Sequence, residues 1–202
     1  MASIINIDYF KGTRYYIPNH LDTNINTTLL EFIQRYEDEY LELLLGYELF
    51  RDFKANTNVA NDPAVANAPY DKLLKGGEFT ASCGGLKKWR GFLGYEQATN
   101  DYTYSQIANY VYYNWMHQHS SLVAGVGSYF GETEKGVRTN PMRQMVKAWN
   151  EMVDLNFLFH EYMEAEGKTD FPTYRGFNSA SLSLCCKMTG HDLFIKQTTF
   201  RF

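Results

Sequence analysis

The sequence predicts a mainly α-helical protein: a small helical bundle with a projecting glycine-rich loop or hairpin and extended N- and C-terminal arms. Apolar residues recur at three- and four-residue steps in several long segments, as amphipathic helices require. Residues 121–140 interrupt this pattern, because they have no helical period and contain four glycines. With 202 residues, the chain is long enough for one core with an appendage. We therefore divide it into an N-terminal arm (1–22), a helical domain (23–167, including the 121–140 arm) and a C-terminal tail (168–202).

The first helical segment begins near Thr27 and reaches Gly46, a natural stop or kink. Its apolar positions are Leu29, Leu30, Ile33, Tyr36, Tyr40, Leu41, Leu44 and Leu45. A further turn or two is predicted from Tyr47 to Phe53. The charged residues of this segment are expected on its solvated face: Glu31, Arg35, Glu37, Asp38, Glu39 and Glu42. A contiguous carboxylate run of this kind does not predict a glycosidase, which needs two carboxyl groups across a cleft.

The middle of the chain predicts short elements. Residues 54–69 are small, polar and contain proline, which is typical of a loop. Residues 70–75 favour a short helix closed by Gly76-Gly77, and residues 78–80 and 86–92 favour short extended pieces. The letters GGEF at 76–79 spell the diguanylate cyclase signature, but the βαββ context of that domain is absent. We interpret this match as chance.

Two aromatic-rich helices are predicted on either side of the 121–140 arm. The first runs from about Asp101 to His119 and carries Tyr110 and Tyr113 on the side opposite its main apolar face. Because it is apolar nearly all round, it is predicted to be buried on both sides or covered by a partner. The second begins at Asn140-Pro141, a favourable start signal, and ends at Gly167.

The two ends of the chain are predicted to dock on something. An extended or strand-like arm is indicated by Ile4, Ile5, Ile7, Tyr9 and Phe10, whose apolar side chains are expected to dock on a neighbour or on the chain's own body. The last residues read FIKQTTFRF, which is typical of a terminal strand or a docking peptide.

Composition restricts the function. The 16 Tyr, 14 Phe and 3 Trp favour either subunit interfaces or a tyrosine-rich core. A formal charge of −4 argues against tight nucleic-acid binding, although DNA could pass weakly acidic walls without sticking. The three cysteines lack zinc spacing and predict free thiols. No secretory signal and no apolar run of membrane-spanning length is present, so we expect a product made in the cytoplasm without a membrane partner.

The histidines do not predict a catalytic or metal site. His117 and His119 point to different faces of a helix, which makes a poor chelate, and no acidic or cysteine ligand lies at helical spacing. Asn156 and His160 are expected to hydrogen-bond to each other or to a facing tyrosine. We therefore expect no catalytic residue, metal ion or cofactor. An enzyme that uses these histidines with nearby glutamates stays the alternative.

Several pieces occur in an order that resembles a known family. They are YEDEYLELLLGYELFRDF (36–53), YDKLLKGGEF (70–79), GLKKW (85–89), SQIANYVYYNWM (105–116) and PMRQMVKAWNEMVDLNFLFHEYM (141–163). Over residues 25–166 this order resembles the head–tail connector (adaptor, or neck ring) proteins of tailed bacteriophages, above all those of crAss-like and other Bacteroides phages.

The resemblance implies a virion structural protein without enzymatic activity, located at the neck. Such connectors form a ring, commonly of twelve copies, beneath the portal protein. They contact other neck or tail proteins and extend the channel through which DNA passes. The residues expected at subunit interfaces are Val126, Tyr129 and Phe130 on the arm, with Tyr110 and Tyr113 on the preceding helix. A monomeric protein that binds some other partner is a further alternative.

Overall fold

Helices dominate the part of the chain that the structure describes. The structure is a computed structural model and describes residues 3–11, 15–17, 23–57, 68–81, 84–94, 105–120, 123–124, 127–128, 141–174 and 196. The helices are α1 (Thr23–Leu45), α2 (Tyr47–Asn56), α3 (Ala68–Lys75), α4 (Gln106–Ser120) and α5 (Pro141–Tyr162). The strands are β1 (Gly77–Thr80), β2 (Leu86–Trp89), β3 (Val123–Ala124) and β4 (Gly127–Ser128). The prediction of a mainly α-helical bundle is confirmed.

Helix α4 lies between α1 and α5. The ring of Trp115 packs edge-on against Phe32 of α1 at 5.2 Å between centroids, and Tyr113 packs against Trp149 of α5 at 4.7 Å. The hydroxyl of Tyr112 donates to Gln144 near the start of α5, and Tyr110, earlier on α4, lies beside Trp149, farther along α5, so the two helices run antiparallel. This position explains why α4 is apolar nearly all round: both of its sides are covered by helices of its own chain.

Several helix boundaries differ from the sequence prediction: α1 begins at Thr23 rather than near Thr27, and α2 reaches Asn56 rather than Phe53. Two further differences have a visible cause. Helix α4 begins at Gln106, because the hydroxyl of Ser105 caps it by accepting from the Ala108 amide at 3.3 Å. Helix α5 continues through a π-helical turn (Met163–Gly167) and a last helical turn (Lys168–Asp170). Gly167 is buried and does not end the helix. A Cβ atom there would lie 2.5 Å from the sulfur of Met163, so this glycine permits close packing.

Strands β1 and β2 form an antiparallel hairpin in which Gly77 pairs with Trp89 and Thr80 with Leu86. Two glycines fasten this hairpin to α3. Gly76 and Gly91 have φ angles of 84° and 76°. A Cβ on Gly76 would lie 2.2 Å from the Trp89 carbonyl oxygen, and one on Gly91 2.2 Å from that of Leu74. Only glycine tolerates both the positive φ and this approach. The GGEF letters therefore belong to a helix-to-hairpin turn.

The N-terminal arm is not strand-like where the structure describes it. Residues 7–10 form a 3-10 helical turn, and the chain returns so that the Ile17 amide donates to the Phe10 carbonyl. We call residues 3–17 the N-terminal segment. Six of its apolar side chains are buried on the chain's own helical body: Ile4, Ile5, Tyr9, Phe10, Tyr15 and Ile17. The sequence left two docking surfaces open, a neighbouring molecule and the chain's own body. The described part of the segment packs on the chain's own body.

Rings form two clusters inside the core. The tyrosine cluster (Tyr36, Tyr40 and Tyr110) lies between α1 and α4, with ring centroids 5.1 Å apart for Tyr40 and Tyr110. The hairpin cluster (Trp89, Phe92, Phe159 and Tyr162) lies between β2, the turn after it and α5, with 5.3 Å between Trp89 and Phe159. Most tyrosines in the described residues are therefore core residues, as one of the two interpretations of the composition predicted.

Candidate functional site

The contact residues predicted on α4 occupy different environments. Tyr110 is only 7% exposed, and its hydroxyl donates to a Glu39 carboxylate oxygen at 2.7 Å. Burial and the neighbouring Glu39 carboxylate raise the pKa of Tyr110 far above its usual value, so it stays a neutral donor. Its contacts lie within the chain because α1 covers this side of α4. Tyr113 is half-buried and packs on Trp149 and on the ring of His117.

The predicted contact residues on the arm, Val126, Tyr129 and Phe130, lie outside the described residues. The structure does describe the pairing that starts the arm. Val123 pairs with Ser128 and Ala124 with Gly127, so β3 and β4 form a short antiparallel ladder directly after α4. A hairpin at this place is one of the two forms that the glycine pattern predicted.

Several large apolar side chains are exposed on the body. They are Tyr16 in the N-terminal segment, Leu30 on α1, Tyr47 on α2, Leu86 on β2 and Phe157 on α5. Tyr47 is 65% exposed and, together with Tyr174, lines an open groove of about 290 Å³ at the corner between α1 and α2. These side chains lie on five different parts of the chain, and single exposed apolar residues of this kind are common on folded proteins and do not by themselves mark a contact surface.

The two histidines of α4 lie beside aromatic rings. The ring of His119 stacks on Trp115 with 3.8 Å between centroids, and its Nδ1 is 2.9 Å from the Trp115 carbonyl oxygen. His117 stacks on Tyr113. In the described ranges, no group of three His, Cys, Asp or Glu side chains could hold a metal ion.

Asn156 hydrogen-bonds to a facing tyrosine, as one of the two sequence alternatives predicted. The buried hydroxyl of Tyr40 on α1 donates to the side-chain carbonyl oxygen of Asn156.

Two buried side-chain amides on α4 have no visible partner. Gln106 and Asn109 are each 1% exposed, and the nitrogen and oxygen atoms of both side-chain amides lack a hydrogen-bond partner in the described part of the chain. Nδ1 of His160 also lacks one there. Buried amides of this kind are rare in folded proteins.

Glu37 corrects the prediction of a fully solvated carboxylate face. Its residue exposure is 0%, whereas Glu31, Glu39 and Glu42 on the same helix are exposed. Both carboxylate oxygens accept from the Ile4 amide, at 2.9 and 2.8 Å, and one also accepts from the Ile5 amide at 3.1 Å. A signal for this burial was present in the sequence: Glu37 lies four residues after Ile33 and four before Leu41, on the apolar stripe of α1.

Lys54 of α2 completes the surroundings of Glu37. Its ammonium group lies 3.7 Å from Glu37 and 2.5 Å from Asp38, and its side chain is only 12% exposed. Burial raises the pKa of Glu37 to about 7, although the Ile4 and Ile5 amides and Lys54 oppose the shift. Glu37 is thus a buried, titratable anchor for the N-terminal segment.

Comparisons of the chain with known protein families, with curated proteins and with solved structures find no match. Among the residues that the structure describes, no helix has both the length and the apolar character needed to cross a membrane.

Proposed function

We propose that this chain is a structural subunit of a tailed-bacteriophage virion: a head–tail connector at the neck that docks on the portal protein, extends the DNA channel and joins the capsid to the tail. Its copies would form a ring around that channel. The sequence pieces quoted above support the family, and the arrangement of the helices is compatible with the role.

The observation that carries the proposal is the antiparallel packing of α4 and α5, with the β3–β4 ladder in the stretch that connects them. The sequence predicts that this stretch, residues 121–140, forms a projecting arm. A helical body with a projecting arm can place the arm on a neighbour while the body forms the wedge of a ring. Contacts between ring neighbours are heterologous, so each copy needs two different surfaces.

The body also exposes single apolar side chains that a neighbour can contact. Leu30, Tyr47, Leu86 and Phe157 lie on four different elements. The net charge of −4 suits a protein beside DNA that must not retain it, because a basic lining would bind phosphates.

Location in the particle tests the proposal. Mass spectrometry of purified virions and antibody labelling under the electron microscope are expected to find the chain at the neck, at the copy number of a ring. Virions that lack the chain altogether would contradict the proposal. A monomer in solution would not, because ring proteins can assemble only on their template.

The arm provides a second test. Replacing both Tyr129 and Phe130 by Ala is expected to leave the helix content and the melting temperature unchanged while abolishing ring formation or particle maturation, since aromatic anchors dominate such contacts. A normal yield of infectious particles from this double variant would count against the role of the arm.

The alternative of a histidine-dependent enzyme has a separate test. Substituting His117, His119 and His160 together by Gln is expected to leave particle assembly unchanged if the protein is structural. Loss of infectivity from virions that have assembled normally would favour an activity.

A further inference from the structure

The N-terminal segment is attached to the body by main-chain groups that meet one buried carboxylate. Glu37 accepts three hydrogen bonds from the Ile4 and Ile5 amides, at 2.8 to 3.1 Å. The segment also has polar contacts farther along: the Tyr9 hydroxyl donates to the Leu93 carbonyl at 2.7 Å, and the Tyr15 hydroxyl donates to Glu151 at 2.8 Å. Glu37 therefore holds the start of the segment, residues 4 and 5.

The charge of Glu37 is only partly compensated. In the described residues, the charged groups that face it are Asp38 on α1 and Lys54 on α2. The Lys54 ammonium lies closer to Asp38 (2.5 Å) than to Glu37 (3.7 Å), so the nearest cation is shared with a second carboxylate. The ionised carboxylate of Glu37 has lost its hydration and shares its nearest cation with Asp38, so burial disfavours the charged form.

We infer that Glu37 is a pH-dependent latch: ionisation of its buried carboxyl weakens the attachment of the N-terminal segment, and protonation strengthens it. Opening the segment returns the carboxylate to water, so the ionised form gains more from opening than the neutral form does. The side chains of Ile4 and Ile5, which are 4% and 1% exposed in the closed state, are then loosened.

Proton linkage gives the direction in which pH changes the attachment of the segment. The pKa of Glu37 is about 7 when the segment is closed, against 4.5 for an exposed glutamate. The closed state therefore binds the proton more tightly, its advantage is greatest at low pH, and it is lost as the pH rises to about 7. With these two values, the ratio of open to closed segment rises roughly 25-fold between pH 5.5 and pH 8.

Amide hydrogen exchange measures this ratio directly. Protection factors, which are corrected for the intrinsic pH dependence of exchange, are determined for the Ile4 and Ile5 amides in the full chain from pH 5.5 to pH 8. We expect them to fall by more than tenfold relative to those of core amides in α1. Protection at these two amides that does not change with pH would overturn the inference.

Two variants separate the latch from a general pH effect. Glu37→Gln keeps a carbonyl oxygen for the main-chain amides but cannot ionise, so its Ile4 and Ile5 protection is expected to be independent of pH. Glu42→Gln, an exposed position on the same helix, is expected to behave as the wild type. A pH dependence that survives in Glu37→Gln would overturn the latch.

The titration of Glu37 itself keeps the test open if the Gln variant does not fold. Carbon-13 NMR of its side-chain carboxyl in the wild-type chain is expected to give a midpoint near pH 7. A midpoint at or below 4.5 would overturn the inference, because ionisation would then favour the closed segment. Lys54→Met is expected to move the midpoint upward, since the remaining cation near Glu37 is removed.

Discussion

The two ring clusters of the core use the same kind of side chain in different ways. In the tyrosine cluster the polar tips are satisfied: Tyr40 donates to Asn156, Tyr110 to Glu39, and Tyr36 accepts from Gln118 at 2.6 Å. In the hairpin cluster, the Trp89 indole nitrogen and the Tyr162 hydroxyl are buried and lack a hydrogen-bond partner within the described residues. One cluster is thus fixed by hydrogen bonds and packing, and the other by packing alone.

The two clusters make different contributions to the fold. Directional hydrogen bonds between α1, α4 and α5 specify which residues face each other, because a shifted helix would leave buried polar tips without partners. The hairpin cluster supplies apolar area and ring-to-ring contacts, which tolerate small shifts more readily. The tyrosine cluster therefore determines the register of the helices. The hairpin cluster mainly contributes to the free energy of unfolding.

The largest expected effect is in the hairpin cluster. Trp89→Ala removes a ring that is 1% exposed and contacts Phe92, Phe159 and Tyr162, so it is expected to lower the free energy of unfolding by about 3–5 kcal/mol. Urea denaturation followed by circular dichroism measures the change. Leu86→Ala on the same strand, 71% exposed, is the matched control and is expected to stay within about 0.5 kcal/mol. A loss below about 1 kcal/mol for Trp89→Ala would show that this cluster is not a principal source of stability.

The next effect concerns the tyrosine cluster. Tyr40→Phe keeps the ring and removes the donor to Asn156, whose side chain is fully buried. The free energy of unfolding is expected to fall by about 1–1.5 kcal/mol, because a buried hydrogen bond between α1 and α5 is lost. The same denaturation experiment measures it. No change in this variant would contradict the role of hydrogen bonds in fixing the helices.

A smaller effect of opposite sign is expected at the beginning of α4. Gln106→Met replaces a buried amide without partners in the described chain by an apolar side chain of similar length. It is expected to raise the free energy of unfolding by about 1 kcal/mol. Gln34→Met, at an exposed position on α1, is the control with little change. Destabilisation by Gln106→Met would show that this amide is bonded in the folded protein.

The smallest effect is expected for the hydroxyl of Tyr162 in the hairpin cluster. Tyr162→Phe removes a buried hydroxyl that has no partner in the described residues, so stability is expected to change by less than about 0.5 kcal/mol or to rise slightly. Burial, with Glu166 and Asp170, raises the pKa of Tyr162 to about 12, so the group is neutral at ordinary pH. If Tyr162→Phe cost as much as Tyr40→Phe, the distinction between the two clusters would be wrong.

The sequence contains enough information for the helical bundle but not for its polar interior. The period of α1 and α5 and the glycines between α4 and α5 predict those elements, because local periodicity reflects burial. The burial of Glu37 was not predicted, since its carboxylate neighbours suggested a solvated face and its partners lie more than thirty residues away. The sequence prediction ends the last helical stretch at Gly167, whereas the turns that follow α5 continue it to Asp170. A glycine that ends a helix and one that permits close packing look alike in sequence.

Sequence alone also does not decide which partner covers the residues predicted at subunit interfaces. An apolar side of α4 is compatible with a partner subunit or with another helix of the same chain. For Tyr110, the structure fills that side with α1. For Val126, Tyr129 and Phe130, the role in subunit contacts stays a prediction from composition and from the resemblance.

Electron microscopy of the chain inside its particle tests the central proposal most directly. The proposed function predicts a closed ring of copies at the neck, with a central hole along the DNA path and the 121–140 arm of each copy against a neighbour or the portal. Density for the neck that leaves no place for this chain, or a chain bound only as scattered monomers, would contradict it.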